Sequence, residues 1–134
     1  MRLKNKRIFV NGTFDILHRG HIQLLEFAKS QGDFLTVAID TDERVRQLKG
    51  PTRPINKVND RAYMLLSIRH VNAVVTFSTD DQLREYISQH DAMVKGSDYI
   101  GKDIVGQEVC TEIIFFNLVT GYSTSEIIKR ATNR

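Results

Sequence analysis

Cysteine is almost absent from this sequence of 134 residues, in which Cys110 is the single example. One cysteine excludes an internal disulfide framework and a zinc site built from several cysteines. A free thiol is at home in reducing conditions, so we expect a cytoplasmic location.

Long hydrophobic runs and blocks of one charge are also missing. No apolar stretch reaches the roughly 18 residues that span a bilayer, and the N-terminus lacks the ~7–15-residue apolar core of a secretory signal. The 19 basic and 16 acidic residues leave a net charge of only +3, with no block of five or more basic residues. We therefore expect no membrane and no nucleic-acid partner. A mild positive excess suits small polyanions such as nucleotides and sugar phosphates.

The chain does have the apolar content of a globular protein, with 41% hydrophobic and 26% charged residues. At this length we predict a single domain spanning residues 1–134. Short apolar runs alternate with helical patterns. The predicted strands are Arg7–Asn11, Phe34–Ile39, Ala73–Phe77, Ala92–Lys95 and Ile113–Leu118. The predicted helices are Ile22–Gln31, Thr41–Leu48, Asn59–Arg69, Asp80–His90 and Ser123–Ala131.

This alternation predicts an α/β fold, a Rossmann-like doubly wound parallel sheet of five strands with helices on both faces. We expect Gly32 to end the first helix in a left-handed backbone conformation. In such folds, ligands bind beyond the carboxyl ends of the strands. The loops that follow the strands are therefore the segments where function is expected.

The loop after the first strand is the most informative segment, and residues 11–21 are NGTFDILHRGH. Gly12 lets a phosphate approach the backbone, and a helix starting near Gly20 turns its free N–H groups toward the same space. His18 and His21 can both direct a ring N–H at phosphate oxygens. Two histidines without a third ligand nearby make a poor zinc site, so no protein-bound metal is predicted.

The string GTFDILHRGH resembles the GTFDxxHxGH signature of the cytidylyltransferase-like nucleotidyltransferases. Three more segments resemble motifs of that family, each in a loop after a predicted strand: Lys49-Gly50, Lys95–Tyr99 and Gly121–Ile128. The resemblance covers nearly the whole chain. It implies transfer of a nucleoside monophosphate from a nucleoside triphosphate to a phosphorylated sugar or polyol, with release of pyrophosphate. It also implies a homodimer, and we expect the strand order 3-2-1-4-5.

The resemblance also implies roles for individual residues. His18, His21 and Lys49 are the expected catalytic residues, with the Lys49–Pro54 loop mobile until ligand binds. The expected nucleotide-binding residues are Gly12, Thr13, Phe14, Gly20, Lys95, Gly96, Asp98, Tyr122, Ser123, Thr124 and Ser125. The expected acceptor-binding residues are Asp15, Asp40 and Arg61. Mg²⁺ is expected to be carried mainly by the triphosphate.

Simpler interpretations of several of these residues stay open. Ser123 is also placed as a helix N-cap, with Glu126 completing a capping box. Asp98 fits a turn as well as a ribose contact. Lys49 and Arg61 fit solvated positions as well as phosphate contacts.

Within the family, the segments KGPTRPIN, KGSDY and LVTGYSTS resemble the adenylyltransferase domain of bacterial ADP-heptose synthesis, which belongs to lipopolysaccharide biosynthesis. Glycerol-3-phosphate cytidylyltransferases usually carry an arginine where this chain has Leu118 or Val119, so ATP is favoured over CTP. A glycerol-3-phosphate cytidylyltransferase is the first alternative, followed by an FAD synthetase-like adenylyltransferase and a non-catalytic nucleotide-binding module. The short stretch between Asp103 and Glu112 departs from the adenylyltransferase pattern, which has a longer helix there.

Overall fold

The computed structural model describes residues 5–117 and 123–132, and its centre is a five-stranded sheet. All the strand pairings are parallel, and the order is 3-2-1-4-5. The strands are β1 (Arg7–Gly12), β2 (Phe34–Asp40), β3 (Ala73–Phe77), β4 (Ala92–Gly96) and β5 (Ile113–Phe116). The predicted fold class and strand order are confirmed.

Helices connect the strands as the alternating pattern indicated. They are α1 (Arg19–Ser30), α2 (Asp42–Lys49), α3 (Val58–Leu66), α4 (Asp80–Ser88) and α5 (Thr124–Thr132). Two short 3₁₀ turns, Ser97–Tyr99 and Gln107–Val109, occupy the connection from β4 to β5, which is short as the sequence indicated. In the described part of the chain, none of the helices has the length and apolar character that a membrane crossing requires.

Of the element boundaries that differ from the predictions, two lie at the site. Helix α1 starts three residues before the predicted Ile22, because the side chain of His18 caps it. Lys49 is the last residue of α2 instead of a loop residue, since the helix continues until Gly50, which has a φ of 99°. Lys49 is therefore held by a helix, and the following glycine provides the change of direction.

Alternate residues of β1 enter two separate cores, one on each face of the sheet. Ile8 belongs to a cluster with Leu25 of α1 and Leu65 of α3, whereas Phe9 belongs to a cluster with Leu83 of α4. Both faces are covered, which explains why the strands are continuously apolar. The carboxyl ends of the strands remain as the edge where a ligand can bind.

Gly32 ends α1 for a different reason from the one predicted. It is not among the glycines of the described residues that have a positive φ. A Cβ at this position would lie 2.5 Å from the carbonyl oxygen of Lys6 and 2.8 Å from Cγ1 of Ile8. The prediction of a left-handed conformation was wrong, and the close approach of the chain entering β1 is what excludes a side chain.

Gly32→Ala should therefore lower the free energy of unfolding by about 1–3 kcal/mol, the usual cost of overpacking. Urea unfolding measures this change. Gly101→Asn is the control, because Gly101 has a φ of 81° with no atom within 4 Å of an added Cβ, and asparagine tolerates that backbone. Equal stability of the two variants would contradict the steric explanation.

Candidate active site

His18 and His21 hold each other at the N-terminus of α1. The backbone N–H of His21 donates to Nδ1 of His18 over 3.4 Å, and that of His18 donates to Nδ1 of His21 over 3.2 Å. The two rings stack with their centroids 3.7 Å apart. This reciprocal pair is a capping box made of two histidines. Because each Nδ1 accepts a hydrogen bond, the neutral rings carry their proton on Nε2.

Both rings are neutral at physiological pH. Burial lowers the pKa of His18. Burial, together with the charges of His18 and Lys49, lowers the pKa of His21 to about 4. Each ring is then an uncharged donor at Nε2.

A cavity of about 360 Å³, called here the histidine cavity, lies in front of this helix end. The start of α5 reaches the same place, where Oγ1 of Thr124 donates to the carbonyl of Ile16 over 2.9 Å. Ser123 is the N-cap of α5, one of the interpretations that the sequence left open, since its Oγ accepts from the backbone N–H of Glu126 over 3.0 Å. The described residues that line the cavity are Thr13, Phe14, Asp15, His18, Gly20, His21, Leu24, Lys49, Arg53, Ser123, Thr124 and Ser125. Two helix N-termini and a lysine thus face one cavity, an arrangement suited to a phosphate chain.

A second cavity of about 470 Å³, called here the carboxylate cavity, lies beyond β1 and β4. This is where the strand order changes direction, the usual ligand crevice of such sheets. Its ionisable lining residues are Asp40, Arg44, Lys49, Lys95, Asp98, Tyr99 and Asp103, and the predicted residues Gly12 and Gly96 also line it. Thr13, Leu24 and Lys49 line both cavities, so the two meet at Lys49.

Lys95 lies at the end of β4 with partners supplied by the protein. Its Nζ donates to Oδ1 of Asn11 over 2.9 Å and lies 4.8 Å from the centroid of the Tyr99 ring. Burial lowers the pKa of Lys95, while the charges of Asp40 and Asp98 oppose that change. The carboxylate cavity therefore carries mixed charge, whereas Lys49, Arg53 and both helix N-termini converge on the histidine cavity.

Burial also lowers the pKa of Lys49, and the nearby charge of Arg53 adds to the effect, while Asp40 and Asp15 oppose it. Lys49 is thus a cation placed where the two cavities meet, close to a second cation. Lys49 is exposed, and its place beside both cavities fits the predicted contact with phosphates.

Arg61 was expected at the acceptor, but the structure gives it another role. Its side chain is 0% exposed and lines neither cavity. Its hydrogen-bond acceptors, at 2.7–3.0 Å, are the carbonyl oxygens of Thr13, Asp40 and Asn56 and the carboxylate of Asp42. These bonds use the guanidinium to join the ends of β1 and β2, and a substrate contact of Arg61 stays a prediction.

Asp15 likewise holds a loop, although it reaches the wall of the histidine cavity. It is 3% exposed, and its two oxygens accept from the backbone N–H groups of Ile55 and Asn56, each over 2.7 Å. Nε of Arg53 lies 3.4 Å from the same carboxylate. Asp15 therefore anchors the loop that follows α2, and its contact with the acceptor stays a prediction. Mobility of the Lys49–Pro54 loop stays a prediction.

Gly12 and Phe14 depend on each other. Phe14 has a φ of 50° and is 5% exposed, and its ring lies 5.0 Å from that of His21. A Cβ on Gly12 would lie 2.9 Å from Cε2 of Phe14. The glycine thus makes room for the ring that supports His21, a reason different from the phosphate approach inferred from sequence.

Two residues complete the comparison with the sequence predictions. Tyr122, a predicted nucleotide-binding residue, lies outside the described residues. Arg53 was not predicted, yet it lines the histidine cavity. The signal that could have found Arg53 was its position in KGPTRP, four residues after Lys49.

Comparison with known proteins agrees with this geometry. The family model described as cytidylyltransferase-like matches residues 9–130. The chain belongs to this family. The cytidylyltransferase-like chain is 47% identical over 130 residues to the bifunctional protein HldE of Aliarcobacter butzleri, covering 96% of this chain and 27% of that protein. It is 41% identical over 130 residues to the bifunctional protein HldE of Helicobacter pylori, covering 96% and 28%. It spans about a quarter of the length of these curated relatives.

Solved structures share the fold. A lipopolysaccharide core biosynthesis protein from Thermoplasma volcanium matches with a TM-score of 0.71 and 25% identity, over 85% of this chain and 98% of that chain. A pantothenate synthetase from Thermus thermophilus matches with a TM-score of 0.59 and 14% identity, over 97% and 66%. The second similarity concerns the fold alone.

The histidine pair predicts a specific pH behaviour of this cytidylyltransferase-like chain. Nitrogen-15 NMR should show Nε2-protonated rings for both histidines at pH 7 and a pKa of about 4 for His21. Because the pKa of His21 in the folded chain lies below its unfolded value near 6.5, its contribution to stability is complete above about pH 6.5 and is lost as the pH falls toward 4. The loss of stability at low pH should be smaller in His21→Gln than in the wild type. Burial also lowers the pKa of His90, but His90 contributes equally to both proteins. An Nδ1-protonated ring would contradict the capping geometry.

Proposed function

We propose that this chain is a nucleotidyltransferase that transfers the adenylyl group of ATP to a heptose 1-phosphate-type sugar and releases pyrophosphate. One observation carries the proposal. Two neutral histidines, fixed as Nε2–H donors, line a cavity together with two helix N-termini and Lys49. Membership of the cytidylyltransferase-like family and the similarity to HldE proteins support the sugar phosphate as acceptor.

The reaction requires positioning and charge neutralisation. An oxygen of the acceptor phosphate attacks the α-phosphorus, the bond from this phosphorus to the bridging oxygen breaks, and pyrophosphate leaves with the electron pair. The nucleophile is already an anion, so no general base is needed. His18 and His21 donate to the oxygens of the α-phosphate as charge builds up on them. Lys49, at the junction of the cavities, holds the acceptor phosphate against the triphosphate.

Mg²⁺ belongs to the proposal as an ion carried by the triphosphate. In residues 5–117 and 123–132, no group of three or more His, Cys, Asp or Glu side chains is arranged to hold a metal ion. The oxygens of Asp15 are bonded to the anchored loop. These residues fit an ion that is bound by phosphates and water, as Mg²⁺ usually is at nucleotides. When bound, it neutralises charge on the triphosphate.

The carboxylate cavity is the proposed place of the sugar hydroxyls. Asp98 and Asp103 line it, and carboxylate oxygens accept hydrogen bonds from hydroxyls. A ribose and a heptose share this chemistry. The cavity meets the histidine cavity at Lys49, so a sugar bound there has its phosphate at the reacting centre.

A homodimer in the cytoplasm completes the proposal. Exposed apolar side chains on α3 support a covered surface, since Tyr63, Met64 and Leu66 are 72%, 50% and 56% exposed. The free thiol of Cys110 suits the reducing cytoplasm.

His18→Asn separates the two roles of the histidine. Asparagine is a good N-cap, so α1 should keep its stability, but the Nε2–H donor is lost. We expect kcat to fall by about 10²–10³-fold, as for the loss of one oxyanion donor. Pyrophosphate release with ATP and heptose 1-phosphate measures the effect. The control is His70→Asn, because His70 lines neither cavity. Equal turnover of His18→Asn and the wild type would contradict the proposed mechanism.

Base choice is a separate test of the proposal. We expect ATP to be preferred over CTP, because neither residues 95–98 nor residues 118–123 contain an arginine that could bind a pyrimidine carbonyl. Competition between equal concentrations of ATP and CTP, with each of heptose 1-phosphate and glycerol 3-phosphate, measures the preference. A clear preference for CTP would overturn the adenylyl assignment and leave the histidine chemistry intact.

A further inference from the structure

Arg53 carries a buried donor that the protein does not use. Its side chain is only 14% exposed and lines the histidine cavity. Nε lies 3.4 Å from Oδ2 of Asp15, but Nη2 is buried and has no hydrogen-bond partner among the described residues. A buried donor left without a partner costs about 1–3 kcal/mol, and more when it is charged. An unused donor on a side chain that lines a cavity points to a ligand that accepts hydrogen bonds.

The charges around this cavity point to the same kind of ligand. Lys49 and Arg53 both line it, and the charge of Arg53 disfavours protonation of Lys49. Asp15, the carboxylate nearest to Arg53, also accepts from two backbone N–H groups. The two helix N-termini add further positive potential. An anion with several oxygens would relieve the repulsion between the two cations.

The loop places Arg53 before any ligand arrives. The chain that follows Arg53 is held at Asn56. Nδ2 of Asn56 donates to the carbonyl of Asp15 over 3.0 Å, and the carbonyl of Asn56 accepts from Nε of Arg61 over 2.9 Å. Arg61 is itself fully buried. The chain is therefore anchored three residues after Arg53, and the planar fork of a guanidinium suits two oxygens of a phosphate.

We propose that Arg53 is a nucleotide-binding residue whose Nη2 edge donates to the phosphates that leave as pyrophosphate. Arg53 lines the histidine cavity, where the two helix N-termini lie, and does not line the carboxylate cavity, where the sugar hydroxyls are placed. The histidines hold the α-phosphate, so the guanidinium serves the outer part of the phosphate chain. This inference rests on the proposed function for the identity of the ligand.

Binding of ATP and of inorganic pyrophosphate, measured by titration calorimetry, tests the assignment in three variants. Arg53→Gln removes the charge and the planar fork of the guanidinium and should lower the affinity for both ligands about 10–100-fold. Arg53→Lys keeps the charge and should recover only part of the affinity. Arg46→Gln, on the exposed side of α2, makes the same change of charge outside both cavities and should bind both ligands like the wild type.

Thermal unfolding and steady-state kinetics separate binding from folding. Arg53→Gln could lose stability as well as affinity, and Arg53→Lys then separates the two effects. A restored melting temperature with weakened pyrophosphate binding supports the assignment. Restored pyrophosphate binding overturns the requirement for the planar fork. Unchanged binding of ATP and pyrophosphate by Arg53→Gln would overturn the proposal. So would an effect confined to the KM of the sugar phosphate. If the wild type binds both ligands in an Arg53-dependent way but transfers nothing to any phosphorylated sugar, the inference stands and the proposed function fails.

Discussion

One buried guanidinium determines how the segments around the site are arranged. Arg61 donates to the carbonyl groups of Thr13 and Asp40, which follow or end neighbouring parallel strands, and to the carbonyl of Asn56 in the loop after α2. Backbone carbonyls at the end of a sheet need donors, and a fully buried charge needs several acceptors. Here the carbonyl groups supply the acceptors for Arg61, and the guanidinium of Arg61 supplies the donors for the carbonyl groups. The position of the histidine loop relative to the loop that carries Arg53 depends on this arrangement.

In the histidine pair, too, one set of hydrogen bonds meets two requirements. Each ring accepts a backbone N–H at the start of α1, a bond that every helix N-terminus needs from some side chain. That bond also determines which nitrogen carries the proton. Serine or aspartate would cap the helix equally well but would leave no ring donor for a ligand. The hydrogen bond that caps the helix therefore also fixes the tautomer that the proposed chemistry of His18 and His21 requires.

Charge divides the crevice into two parts. Lys49 lies at the junction, with Arg53 on the side of the histidines and the carboxylates of Asp40, Asp98 and Asp103 along the other cavity. Asp40 is tied to Nε of Arg44 over 3.0 Å, which keeps that carboxylate in place near both Lys49 and Lys95. A strongly anionic group and a polyhydroxyl group therefore find suitable partners on opposite sides of one lysine.

The sequence by itself determined the alternating fold, the strand order expected from the family resemblance, and the motifs that meet at the strand ends. The alternation and the places of the motifs follow from local spacing, because period and turn residues depend on neighbours along the chain, whereas the strand order is what the resemblance implies. Tertiary structure alone decided the hydrogen-bond partners of Arg61, Asp15 and Arg53, since these partners lie up to 48 residues away along the chain. It also decided why Gly12 and Gly32 are glycines, because the atoms that exclude a Cβ belong to a packed ring and to a strand entrance. Burial and long-range hydrogen bonds determine whether a charged side chain holds the fold or faces a ligand, and a one-dimensional pattern does not contain them.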